Sequence, residues 1–192
     1  MKRKSRKGRL TGWILILLMG VFLVAPRGGC DTCKIHLLTG GEYFYALRDA
    51  IDNARHSIFL AIYLFKTSRY PTNRATGILN ALLSAAKRGV DITVLMEHND
   101  DPESFINVEN AKTGRRLADA GAKVFWDRLD RKLHIKAVVI DHHVVFLGSH
   151  NLTHSAMKYN QEMSLMLNDA RIANEIIKKI SRFPKTPFRR TP

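Results

Sequence analysis

Cysteine is nearly absent from this chain. Two residues, Cys30 and Cys33, in a length of 192 exclude a disulfide scaffold. Six prolines and twelve glycines exclude collagen-like and low-complexity chains. No segment recurs at the period of roughly 20–50 residues that marks solenoids and propellers. There is no HExxH pattern and no cluster of cysteines or carboxylates, so nothing in the pattern asks for a metal cofactor. Acidic residues run short, 17 against 31 Lys and Arg, for a formal charge of +14. What is present, 45% hydrophobic and 25% charged residues, excludes wholesale disorder and long coiled coil. The length suits one domain with appendages.

The positive charge sits at the ends. Residues 1–9 carry six basic residues and no acid, and residues 178–192 carry six more, which leaves the intervening stretch at +2. Basic ends attract anionic lipid or nucleic acid without specificity. They serve equally as a topology signal and a solvated tail. Residues 10–25, LTGWILILLMGVFLVA, contain no charge. Sixteen residues fall between a signal-peptide core and a full membrane span. Leu23 before Ala25 and Arg27 before Gly29 make poor cleavage sites, which favours a retained N-terminal hydrophobic helix over a cleaved signal. The positive block ahead of it predicts a cytoplasmic N-terminus, with the remainder periplasmic or extracellular. Residues 1–29 are therefore read as basic N-terminus plus anchor or signal. Beyond them, Cys30, Cys33 and His36 supply at most three local ligands, short of a structural zinc site. A local disulfide or plain thiols are the simpler reading.

From residue 34 onward strand and helix patterns alternate. Strands are predicted over residues 34–38, 57–65, 91–97, 123–126, 134–140, 144–147 and 161–167. Helices are predicted over 42–55, 73–88, 111–120 and 170–180, with Gly89 and Gly121 as stops. Residues 98–109 read as loop. Residues 141–143 read as a tight hairpin turn. The expected fold class is α/β, a mixed β-sheet covered by helices on both faces. The catalytic domain spans 34–183, and a basic, disordered tail spans 184–192.

The chemistry is concentrated between residues 134 and 162. His134 and Lys136 share one face of a predicted strand. An imidazole and an ammonium on an otherwise apolar strand are tolerable if they meet an anion, and a phosphodiester supplies one. Gly148 admits close backbone approach, while Ser149 and Asn151 bring neutral donors. Glu162 can orient an imidazole, as the third member of a catalytic triad does.

His134, Lys136, Asp141, Gly148, Ser149 and Asn151 stand in the order His-x-Lys, four residues, Asp, six residues, Gly-Ser, x, Asn. In this they resemble the signature of the phospholipase D superfamily, with Glu162 at its downstream acid. Six specified residues at fixed spacing are a specific signal. The resemblance is to the short, single-motif branch, which includes bacterial periplasmic endonucleases and mitochondrial phospholipase D-like proteins. It implies an α-β-α sandwich and a phosphodiesterase that works without metal or other cofactor. His134 would attack phosphorus and form a phosphohistidine, and a second histidine would protonate the leaving oxygen and then activate water. Lys136 and Asn151 would hold the nonbridging oxygens and Ser149 would donate a hydrogen bond, while Glu162 sets the imidazole tautomer. Asp141 completes the motif, working in the turn or paired with a neighbouring base. No other His-x-Lys occurs, so the resemblance also implies a homodimer whose two His134 side chains share one cleft.

His150 and His154 flank the motif and are candidates for the pocket rim. His98, after a strand end, is a further candidate. His142 and His143 read as exposed turn residues and His56 as a surface cap. Three functions stay open: an endonuclease on DNA or RNA, a phospholipase D on membrane phospholipid, and a non-catalytic nucleic-acid-binding scaffold. The near-neutral middle of the chain weakens the first, although Arg69, Arg74, Lys112, Arg115, Arg116, Arg128, Arg131 and Lys132 could build a local basic rim. The anchor favours the second weakly. The complete motif speaks against the third.

Overall fold

The computed structural model describes residues 34–188. In chain order the elements are β1 (Ile35–Thr39), α1 (Gly41–Asp52), β2 (Ser57–Ile62), α2 (Arg74–Lys87), β3 (Asp91–Met96), α3 (Phe105–Asp119), β4 (Lys123–Asp127), β5 (Lys136–Ile140), β6 (Val144–Gly148), β7 (Met163–Asn168), α4 (Ala170–Ser181) and β8 (Lys185–Pro187). The strands form one mixed sheet in the order β1-β7-β6-β5-β2-β3-β4-β8. The β2–β3 and β3–β4 pairings are parallel and the other five antiparallel.

Period-two alternation divides the core. Ile58, Leu60 and Ile62 of β2 join the large cluster that includes Leu47, Leu79 and Leu117 of α1, α2 and α3. Ala61 faces the other way, with Leu95, Ala137 and Ile180 of α4. Both faces thus carry helices, as the alternation of patterns predicts. β5 is buried at all five positions, because it lies mid-sheet between β2 and β6.

Two segments depart from the sequence reading. α3 begins at Phe105, inside the expected loop. Its buried residues include Asn107, Asn110 and Thr113, so the helix shows little apolar periodicity. Their side chains serve backbone instead. Asn110 Oδ1 accepts from Phe65 N–H at 2.8 Å, its Nδ2 donates to the carbonyls of Tyr63 and Glu97, and Thr113 donates to Phe65. The chain at 63–65 is thereby fixed after leaving β2. The second departure is β8, which pairs with β4 where a disordered tail was expected. Phe188 packs on Trp126, with ring centroids 5.2 Å apart, which supplies the apolar contact that a tail lacks. The expected N-terminal hydrophobic helix, residues 10–25, and Cys30 and Cys33 lie outside the described residues. Among the described residues no helix is long and apolar enough to cross a membrane.

Asp141 opens the β5–β6 turn. Asp141 and His142 have φ of 50° and 56°, the left-handed pair that primed hairpin turns require. The Asp141 carboxylate accepts N–H groups of Arg55, His56 and Ser57 at 2.8–2.9 Å. Burial alone would raise its pKa. The three donors, Ser57 foremost, outweigh that and hold it below the usual carboxylate value. Asp141→Asn keeps the turn geometry but removes the charge. It is expected to lower unfolding free energy by about 1–2 kcal/mol near neutral pH, measured by urea titration. A depressed folded-state pKa stabilises above the unfolded value of about 3.9. The gap between wild type and variant should therefore close as pH falls through the lower folded value.

Candidate functional site

The site lies at the carboxyl ends of β2 and β3, where open α/β sheets place their ligands. It is also where β5 begins, next to β2 and antiparallel to it, with Ile62 opposite Lys136. His134, Lys136, Gly148, Ser149, Asn151 and Glu162 line one open pocket of about 440 Å³. Residues up to 28 positions apart in sequence meet because β5, β6 and β7 are adjacent antiparallel strands.

His134 stands just ahead of β5 rather than within it. Its neighbours are pinned: Leu133 N–H donates to Glu97 Oε2 at 2.6 Å, and Tyr63 N–H donates to the Ile135 carbonyl at 3.0 Å. The imidazole is exposed and lies edge-on to Tyr63, centroids 4.8 Å apart. Partial desolvation, then the Lys136 and Lys132 charges, hold its pKa below the ordinary value. With no anion bound, the unprotonated ring, with a lone pair on nitrogen, is therefore favoured.

Lys136 is only 6% exposed. Its Nζ donates to the His134 carbonyl at 2.9 Å and lies 5.0 Å from the Tyr63 ring centroid. Burial lowers its pKa and the Glu162 charge opposes that. Such an ammonium, with no carboxylate in salt-bridge contact among the described residues, is poised for an anion.

Ser149 Oγ donates to Glu162 Oε2 and accepts Met163 N–H at 3.0 Å, while Asn160 Nδ2 donates to Glu162 Oε1. Both Glu162 oxygens are thus engaged, and neither bonds the His134 imidazole. The expected role of setting the His134 tautomer is not what this geometry shows; the carboxylate orders Ser149 instead. Asn151 Oδ1 is buried without a hydrogen bond, an arrangement tolerated where a polar ligand can enter.

Two expectations are corrected. His150 is not on the rim. It is fully buried, stacked on Tyr43 at 4.2 Å and 3°, with Nδ1 2.8 Å from Ser164 Oγ. Strand alternation continued past β6 sends Ser149 outward and His150 into the core. Gly148, besides lining the pocket, makes room for the adjacent strand, since a Cβ there would strike Ser164 and the Met163 carbonyl. Asp141, at the far end of β5 from Lys136, is a turn and strand clamp and is absent from the pocket. His154 accepts Arg74 N–H at the start of α2, and His98 rests on Trp126. His142 pairs with Asn174 Oδ1. None of these three lines the pocket. Sequence reasoning missed Glu97 and Tyr63, which hold the backbone and rings around the motif. The acid ending the buried strand at 91–97 was the available signal for Glu97.

Residues 47–183 match the family model described as cardiolipin synthase, PLD-like domain. The chain is 29% identical over 131 residues to a phospholipase D of Rickettsia bellii, covering 68% of this chain and 58% of that protein. It is 33% identical over 131 residues to cardiolipin synthase B of Shigella flexneri, covering 65% and 31%. The match thus spans less than two thirds of either relative's length. Among solved structures, Nuc, a phospholipase D family member from Salmonella typhimurium, superposes with TM-score 0.67 at 23% identity, covering 81% of this chain and 99% of that one. That likeness is one of fold.

Two outcomes test this geometry. The His134 ring protons, followed by NMR, should titrate below the ordinary histidine value of about 6.5. Lys136→Met should move the midpoint upward by removing a like charge; a midpoint that stays put refutes the electrostatic coupling. Glu97→Ala should speed hydrogen exchange of the Leu133 amide about tenfold or more, and Glu97→Gln, which keeps an acceptor, much less.

Proposed function

The chain belongs to the phospholipase D-like family, and from that premise we propose that it is a phosphodiesterase, cleaving phosphodiester bonds through a covalent bond between His134 and phosphorus. The observation that carries this reading is the convergence of His134, Lys136, Ser149, Asn151 and Glu162 on one pocket. A His134 ring nitrogen attacks phosphorus and the bond to the leaving oxygen breaks. That oxygen takes a proton from a second imidazole, which enters the step as imidazolium because the bound anionic phosphodiester favours its charged form. Water, deprotonated by the same group, then cleaves the P–N bond and restores His134. Lys136 and an amide of Asn151 stabilise the charge that shifts onto the nonbridging oxygens. The residues themselves supply this electrostatics, so the reaction is expected to proceed in a chelator.

No other histidine of the described chain lines the pocket. We therefore assign the acid–base role to His134 of a second copy in a homodimer. A row of exposed aliphatic side chains borders the site on the sheet face away from α1 and α2. Leu37, Leu165 and Leu147 are aligned across β1, β7 and β6, with Met163 beside them. A contiguous apolar patch next to an incomplete site fits a self-complementary interface.

Of the substrate classes, nucleic acid is our first reading, as an endonuclease outside the cytoplasm. Phospholipid is the second. The names of the sequence relatives, phospholipase D and cardiolipin synthase, favour it, as does the uncharged segment at 10–25. His134→Ala is expected to lower turnover about a thousandfold or more on whichever of plasmid, single-stranded nucleic acid or phospholipid vesicles the wild type cleaves. Acid-labile phosphate should be trapped on the wild-type ring alone. Leu147→Asp with Leu165→Asp should yield an inactive monomer by sedimentation; an active monomer would overturn the shared site.

A further inference from the structure

Next to the reaction pocket lies a second cavity of about 370 Å³, which the mechanism above does not use. His134 lines both, so the two share a wall at the proposed nucleophile. Its floor includes Ile135 and Phe183, and its rim carries Arg131, Lys132 and Arg182. These three cations are exposed and make no salt bridge among the described residues. Of the two acids at the cavity, Asp130 pairs with Arg128 at 3.6 Å, and Asp127 is only 9% exposed and interacts electrostatically with Arg131.

We propose that this cavity is a strand subsite, which holds the nucleotide adjoining the scissile phosphodiester. Its flanking phosphate lies on Arg131, Lys132 and Arg182, and its sugar and base lie against Ile135 and Phe183. The inference rests on the phosphodiesterase reading and deepens it by naming the substrate class. Its argument is charge against shape. Lys136 is assigned to the reacting phosphate; Arg131 and Lys132 feel the Asp127 and Glu97 charges without a salt bridge, yet with Arg128 and Arg182 the cations at the cavity outnumber its acids and call for additional phosphates along a chain. The cavity's volume is that of a small ligand site, suited to one nucleoside and too small for a pair of acyl chains. Arg182 stands two residues before the expected tail; α4 and the β8 pairing bring it beside residues 131–135.

The test uses the full chain carrying His134→Asn, so that bound strand stays intact. Binding of a short fluorescein-labelled single-stranded oligonucleotide is measured against salt. Arg131→Gln, Lys132→Gln and Arg182→Gln together should weaken binding at least about tenfold and reduce the log–log salt slope by about 2–3. A control set, Arg48→Gln, Arg55→Gln and Lys87→Gln, removes the same charge from exposed positions outside the cavity and should leave most of the affinity. Equal losses in the two sets, or no oligonucleotide binding at all, overturn the subsite. Selective loss of binding to phosphatidylglycerol vesicles in place of oligonucleotide also overturns it, and assigns the rim to lipid. The parent reading fails separately, if the wild-type chain does not hydrolyse bis(p-nitrophenyl) phosphate.

Discussion

Lys136 is an ammonium taken almost wholly out of water, and the architecture around it answers to that fact. It begins a strand whose other four residues are apolar and buried, and it is held by a carbonyl and an aromatic face, with no salt-bridged carboxylate among the described residues. A buried cation left so is costly by several kcal/mol. An entering anion would offset that cost, and the pocket beside it opens to solvent. Burial and the same charge depress the pKa of the neighbouring imidazole, so in the proposed reaction one residue would both meet phosphate and favour the unprotonated nucleophile.

Placing that pair demands rigidity in segments that have no regular structure. Residues 63–65 leave β2 and would carry unpaired backbone groups if Asn110 and Thr113 did not satisfy them from α3. The fixed loop in turn presents Tyr63 N–H to the Ile135 carbonyl, and Glu97 takes the Leu133 amide from the end of β3. His134 is therefore held between two anchored neighbours while its own ring stays free. At the opposite end of β5, Asp141 ties the hairpin to the start of β2. Polar side chains inside α3 and in the turn act as scaffolding for a site they never touch.

Much of this was legible in the residues. Buried strands announce themselves as unbroken apolar runs, and β2, β3 and β5 were found on that basis; α1, α2 and α4 show helical spacing. The fixed-spacing motif led to His134, Lys136, Ser149 and Asn151, all of which meet in the pocket. α3 was cut short because its inward face is polar: a pattern that counts apolar residues cannot see a helix whose buried side chains bond to backbone. β8 was missed because three residues with a proline carry no strand signal until an edge strand offers a partner. His150 was assigned by nearness in sequence and Glu162 by its match to the motif's downstream acid, and neither says which way a side chain turns.

Sequence by itself determined the alternating α/β order, the family and the inventory of reacting groups, since these depend on residue type and local spacing. Tertiary structure decided direction and company. It turned His150 into the core, bonded Glu162 to Ser149 in place of His134, and gave Gly148 to the next strand. It also carried Arg182 to the wall of a cavity shared with residue 134. Each of those outcomes depends on strand register and helix packing between distant segments, and no local stretch of chain contains that information.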